Sequence, residues 1–76
     1  MNYREIFATS LKALIKNRGS SVSAVARDLG LTQQGLSLLV NAKRSPSFEV
    51  FCGIADYFNV SADYLLGRTD NPEVNQ

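Results

Sequence analysis

Between Gly19 and Ser61 the chain alternates residues that end a helix with residues that begin one, so no element can be long. Gly19 precedes Ser20 and Ser21, Gly30 precedes Leu31 and Thr32, and Asn59 with Val60 precedes Ser61. Glycine tolerates the left-handed conformation at a helix C-terminus, and a Ser or Thr oxygen accepts from the free amides of a following first turn. Between these breaks apolar residues recur at three- and four-residue steps, the spacing of helix faces, and no strand-length alternation or repeat is present. Tyr3 to Asn17 places Ile6, Phe7, Leu11, Leu14 and Ile15 on one face. Val22, Val25, Ala26 and Leu29 form the inward side of a second helix only about two turns long. Leu36, Leu39 and Val40 do the same for a third, leaving Gln33, Gln34, Ser37, Leu38 and Asn41 outward.

The run NAKRSPS from Asn41 to Ser47 has loop composition, with Pro46 either in the first turn of the next helix behind Ser45 or just before a cap at Ser47. A fourth helix then turns Phe48, Phe51, Ile54, Ala55 and Phe58 inward, and Gly53 within it suggests close packing against a neighbour. Ser61 caps a last short helix, ADYLL, with Asp63 where a carboxylate suits the helix dipole, and Gly67 ends it. The expected architecture is all-α: five short helices in one domain over residues 1–69, followed by a polar, mobile tail over 70–76.

Seventy-six residues allow one modest core and no second lobe for a deep cleft, which places function on the surface. The chain has no histidine and one cysteine, so neither a zinc site nor a Cys/His nucleophile pair can be assembled. Cys52, between Phe51 and Ile54, reads as a small buried hydrophobe. Its acids are scattered, and no phosphate-binding glycine motif is present, so the reading is of a non-enzymatic protein without cofactor or metal. No apolar run approaches the roughly 20 residues of a membrane span. MNYREIF lacks the basic-then-apolar order of a secretory signal, which makes the cytoplasm the expected compartment.

The net charge of +1 conceals an asymmetry. From Lys12 to Ser47 six basic residues face only Asp28, a local charge of +5, whereas from Phe48 onward Arg68 faces five acids, a local charge of −4. One part of the chain is suited to a polyanion.

The joint between the second and third helices is the most specific signal. Ala26, Gly30, Leu31, Thr32, Leu36, Leu39 and Asn41 stand in a register that gives a small residue at a close helix crossing, a glycine turn, an apolar plug, a cap and two core leucines. Together with NAKRSPS, IADYFNVS and DYLLG, the stretch Val22 to Asn41 resembles the Cro/repressor helix-turn-helix family of phage and bacterial regulators, and the resemblance extends from Tyr3 to Gly67. It implies a compact five-helix bundle of the lambda-repressor-like type, with the second and third helices as the helix-turn-helix. It also implies a homodimeric transcriptional regulator, a repressor, on a palindromic double-stranded DNA operator.

In this docking mode the N-terminal part of the third helix enters the major groove, where glutamine can pair bidentately with adenine. Gln33 and Gln34 are then the leading base readers, Ser37 a third, and Leu38 a candidate for a thymine methyl. Phosphate positioning falls to Lys43, Arg44, Ser45 and Ser47, and to the amides near Ser21 and Ser23, with Arg27, Thr32 and Asn41 as further candidates. Lys12, Lys16 and Arg18 add field. Val22 stands where family members often carry a phosphate-clamping glutamine, and Gly35 and Leu38 replace polar residues of the reading face. These departures keep an alternative open: an antirepressor or adaptor that uses the same scaffold on a protein partner. For the dimer surface the candidates are Tyr64 and Leu66 with the Phe58 to Asn59 turn; alternatively Tyr64 and Leu66 simply close the core.

Overall fold

The computed structural model describes residues 2–74 and contains five helices: α1 (Tyr3–Asn17), α2 (Val22–Leu29), α3 (Gln33–Val40), α4 (Phe48–Phe58) and α5 (Ala62–Leu65). No strand occurs among the described residues. Each helix begins with a side-chain cap. Asn2 accepts from the Glu5 amide at 3.2 Å, Ser21 from Ala24 at 3.1 Å and Thr32 from Gly35 at 2.9 Å. Ser47 accepts from Val50 at 3.2 Å and Ser61 from Tyr64 at 3.1 Å. A cap of this kind contributes about 1 kcal/mol, so helices as short as α2, α3 and α5 depend on them. Of the two starts open for α4, the one behind Ser47 is found.

Helix ends follow a common pattern. At the α2 end Gly30 adopts φ 72°, and the Leu31 amide donates back to Ala26 at 2.8 Å, turning the chain sharply into α3. At the α3 end the left-handed residue is Ala42, φ 58°, with the Lys43 amide donating to the Leu38 carbonyl at 2.8 Å. A Cβ in this region costs about 1–2 kcal/mol, and NAKRSPS carries no glycine to relieve it. The same geometry ends α4 at Asn59, φ 54°.

Phe7, Leu11 and Ile15 of α1 form the spine of the core, closed by Val25 and Ala26, by Leu36, Leu39 and Val40, by Ile54 and Phe58, and by Val60 and Leu65. The Phe7 and Phe51 rings meet at 5.5 Å between centroids. The expected inward stripes of α1, α2 and α3 are thus packed on this core, with Leu14, Val22 and Leu29 at its margin, except that Ile6 is half-buried outside the cluster.

Helix α4 departs from expectation at three positions. Phe48 is 82% exposed rather than inward, and Cys52 is exposed rather than buried. Ile54 fixes the inward direction of α4. At about 100° per residue, Phe48 lies about 120° from it and Cys52 about 160°. Gly53 does not mark close packing either, because a Cβ there would meet nothing within 4 Å. The tight glycines are Gly67, whose Cβ would come within 2.7 Å of the Ile6 side chain, and Gly35, discussed below.

After α5 the chain returns to the body. The Ser61 amide donates to the Pro72 carbonyl at 2.9 Å, and Thr69 and Asn71 side chains accept from the Asn71 and Glu73 amides at 3.1 Å. Asn75 and Gln76, the end of the expected tail, lie outside the described residues. Among the described residues no helix is long and apolar enough to cross a membrane, and no group of side chains is arranged to hold a metal ion.

Candidate nucleic-acid interface

The start of α3 is presented by the turn that precedes it. Gly30 reverses the chain, Leu31 is half-buried against the core, and Thr32 caps the helix, so Gln33 and Gln34 occupy its first two positions. Leu36 and Leu39 hold the opposite face down, with Leu36 fully buried. Both glutamines are exposed, and among the described residues neither amide is engaged by a side-chain hydrogen bond. Each keeps an amide donor and acceptor available to a partner.

Farther along α3 the side chains are less free. The Asn41 Nδ2 donates to the Ser37 carbonyl at 2.9 Å and to Ser37 Oγ at 3.2 Å, so the Asn41 amide group is directed into the end of its own helix. Ser37 is half-buried and keeps its hydroxyl hydrogen to donate. Leu38 is also half-buried, which makes the apolar contribution to this face smaller than the sequence suggests. Gly35 has a local duty. Its amide donates to Thr32 Oγ1, and a Cβ would approach the same oxygen to 2.9 Å, so a larger residue would disturb the cap.

The segment from Arg44 to Ser47 lies near Gly35 and Leu39 of α3. Arg44, Ser45, Pro46 and Ser47 line one cleft with Leu31, Gly35, Leu39 and Val50. This brings Arg44 of the basic turn and the α4 N-terminus to the side of α3 that carries Gly35 and Leu39. Lys43 and Arg44 are exposed and form no ion pair among the described residues. Ser21, Ser23, Ser45 and Ser47 are exposed too, with Ser21 and Ser47 already accepting hydrogen bonds as caps, as does Thr32.

Arg27 and Arg18 differ from this group. Arg27 Nε lies 3.7 Å from Asp28 Oδ1 on an exposed surface. Arg18 stacks its guanidinium over Tyr57 at 4.5 Å and Phe58 at 4.7 Å and donates to the Tyr57 carbonyl at 3.1 Å. The Tyr57 hydroxyl in turn donates to Asp28 Oδ2 at 2.7 Å. The ends of α1, α2 and α4 are joined by this chain of contacts, which sequence reasoning missed because its members lie 39 and 29 residues apart. Lys12 and Lys16 are exposed on α1.

Of the expected dimer surface, Phe58 belongs to the core, 8% exposed beneath Arg18, and cannot offer its ring to a partner. Tyr64 and Leu66 are half-buried, and Tyr64 packs against the core cluster.

Comparison with known families is decisive at this point: the Helix-turn-helix family matches the chain over residues 11–65, from the middle of α1 through α5. The chain belongs to the helix-turn-helix family of Cro/C1 type. It is a DNA-binding regulator of that family. No curated protein and no solved structure matches it.

Proposed function

We propose that the chain is a sequence-specific repressor that binds a palindromic operator as a homodimer, with α2 and α3 as its helix-turn-helix and the N-terminal end of α3 in the major groove. The observation that carries this reading is the pair Gln33 and Gln34, exposed and unengaged among the described residues at the first two positions of a capped helix, in a chain whose exposed Lys43 and Arg44 form no ion pair among those residues. A glutamine amide distinguishes adenine by its N6 and N7 groups, and a short helix end is narrow enough to carry two such side chains into the groove.

In this arrangement Ser37 donates to a base acceptor and Leu38 touches a thymine methyl, while Lys43 and Arg44 neutralise phosphates on the flanking strand. Ser45 and Ser47 add neutral hydrogen bonds. The first amides of α2, near Ser21 and Ser23, meet the phosphates on the other side of the groove, where the dipole of an eight-residue helix favours an anion. Arg27 reaches phosphate only by leaving Asp28. One such helix covers few base pairs, and a second copy related by two-fold symmetry supplies the other half-site. Occupying a promoter is then enough to repress it.

The test is selection of bound duplexes from a random pool by the purified protein at near-physiological salt. Enrichment of a palindrome with adenines in its half-sites is the expected outcome. Retention without enrichment, abolished by salt, would leave only non-specific polyanion binding. No retention at all would favour the adaptor reading.

A further inference from the structure

Asp28 is the one acid between Lys12 and Ser47, and both of its carboxylate oxygens face a partner. Oδ2 accepts from the Tyr57 hydroxyl at 2.7 Å, and Oδ1 lies 3.7 Å from Arg27 Nε. Tyr57 is held in turn by Arg18, whose guanidinium stacks on its ring at 4.5 Å and donates to its carbonyl at 3.1 Å. The carboxylate therefore takes its position from α1 and α4 as well as from its own helix. An exposed ion pair has little hold of its own, since two long side chains lose rotamer freedom to make it. Here that cost falls mainly on Arg27, because the hydroxyl has already fixed Asp28. Among the described residues the pair of Arg68 with Asp63, at 3.6 Å, has no such third group.

We propose that Asp28 is a positioning residue for DNA binding: fixed by Tyr57, it holds the Arg27 guanidinium back from the phosphates and so lowers affinity for every duplex. The inference rests on the DNA-binding reading and adds a restraint to it rather than a contact. Arg27 stands four residues after Ser23, one turn farther along the same outward face of α2. Helix side chains lean toward the N-terminus, so an unrestrained Arg27 extends over the turn that carries Ser23, where the proposed docking puts a phosphate. Asp28 lies about 100° round the helix from Arg27, on the side that meets Tyr57. Pairing with Asp28 thus competes with pairing to DNA, and Arg27 brings less usable charge to the basic segment than Lys43 or Arg44, which form no ion pair among the described residues.

A restraint of this kind has a signature that a general electrostatic field lacks: its effect requires Arg27 and changes the number of phosphates neutralised. Asp28→Asn removes the charge while keeping an oxygen that accepts from Tyr57, so the contacts joining α1, α2 and α4 stay in place. The experiment measures binding of wild type, Asp28→Asn, Arg27→Ala, the double variant and Tyr57→Phe to the selected duplex and to a random one over a salt series, with thermal unfolding of each protein. Asp28→Asn is expected to tighten binding to both duplexes by roughly two- to fivefold and to steepen the salt slope by about 1. In the Arg27→Ala background the same change should leave the slope unaltered and the affinity within about twofold. Tyr57→Phe, which keeps the ring beneath Arg18 and loses the hydroxyl, should shift affinity in the same direction as Asp28→Asn and by less.

A gain from Asp28→Asn that persists without Arg27 would reduce the carboxylate to a field effect, and an unchanged or weakened affinity would remove it from DNA binding. Either result overturns the restraint while leaving DNA binding in place. Wild-type affinity in Tyr57→Phe would overturn the part assigned to the hydroxyl. Failure of wild type to bind either duplex would overturn the restraint and the DNA-binding reading together.

Discussion

Two surface regions of this small domain treat their polar side chains in opposite ways. Where α1, α2 and α4 end, Arg18, Tyr57 and Asp28 form a continuous set of contacts: a guanidinium over two rings, a carbonyl accepting from it, and a hydroxyl donating to a carboxylate. At the start of α3 and in the basic turn that follows its end, Gln33, Gln34, Lys43 and Arg44 are exposed and make no such contacts among the described residues. The first region joins elements far apart in sequence. The second keeps its donors and acceptors available for a partner. Proteins of this size have little core in reserve, so a charged residue engaged as Arg18 is contributes to holding helices together, and one left bare contributes elsewhere.

This contrast can be broken by substitution. The largest effect is expected from Tyr57→Ala, which removes the ring beneath Arg18 and the hydroxyl that holds Asp28. Stability should fall by about 2–3 kcal/mol in denaturant titration, with the preferred base sequence of the remaining folded protein unchanged. Altered sequence preference would mean that the clasp takes part in recognition. Gln33→Ala and Gln34→Ala should do the reverse, costing roughly 1–3 kcal/mol at particular base pairs in competition binding while stability stays within about 0.5 kcal/mol of wild type. Equal losses on selected and random duplexes would remove their assignment as base readers.

Lys43→Ala should weaken binding to every duplex and lower the magnitude of the salt slope by about 1, as read from log Kd against log salt. The smallest effects concern the backbone. Gly53→Ala, in open space within α4, should raise stability by up to about 1 kcal/mol. Ala42→Gly should raise it by a similar or smaller amount by relieving the left-handed alanine behind α3. A loss of stability in the second case would show that the alanine side chain stabilises the turn more than its φ costs.

The two regions also differ in how much of them the sequence discloses. Caps and turns are local, so Ser21, Thr32 and Ser61 announced three helix starts, and Gly30 an end, from their immediate neighbours alone. The exposure of Gln33 and Gln34 followed in the same way, because Leu36 and Leu39 fix which face of α3 turns inward. The clasp was not legible. Nothing near Arg18 signals that Tyr57 will lie beneath it, and the residue reads as one more surface cation until α1 and α4 are packed. Helix α4 misled for a related reason: Phe48, Phe51, Ile54, Ala55 and Phe58 fall within about 120° of arc and read as one face, but the packing centres on its Ile54 edge, with Val50 and Tyr57 partly buried beyond it. Only the packed positions of Ile54 and Phe58 resolved it, leaving Phe48 and Cys52 outside.

The central claim is that the bare region, and not the acidic side beyond Phe48, receives DNA. Backbone amide chemical-shift mapping on titration with the selected duplex tests it most directly. The account predicts the largest shifts from Thr32 to Leu38 and from Lys43 to Phe48, a second set at Ser21 to Ser23, and small shifts at Asp28 and Tyr57. Largest shifts around Glu49, Asp56 and Asp63, or none with a duplex that the protein enriched, would contradict it.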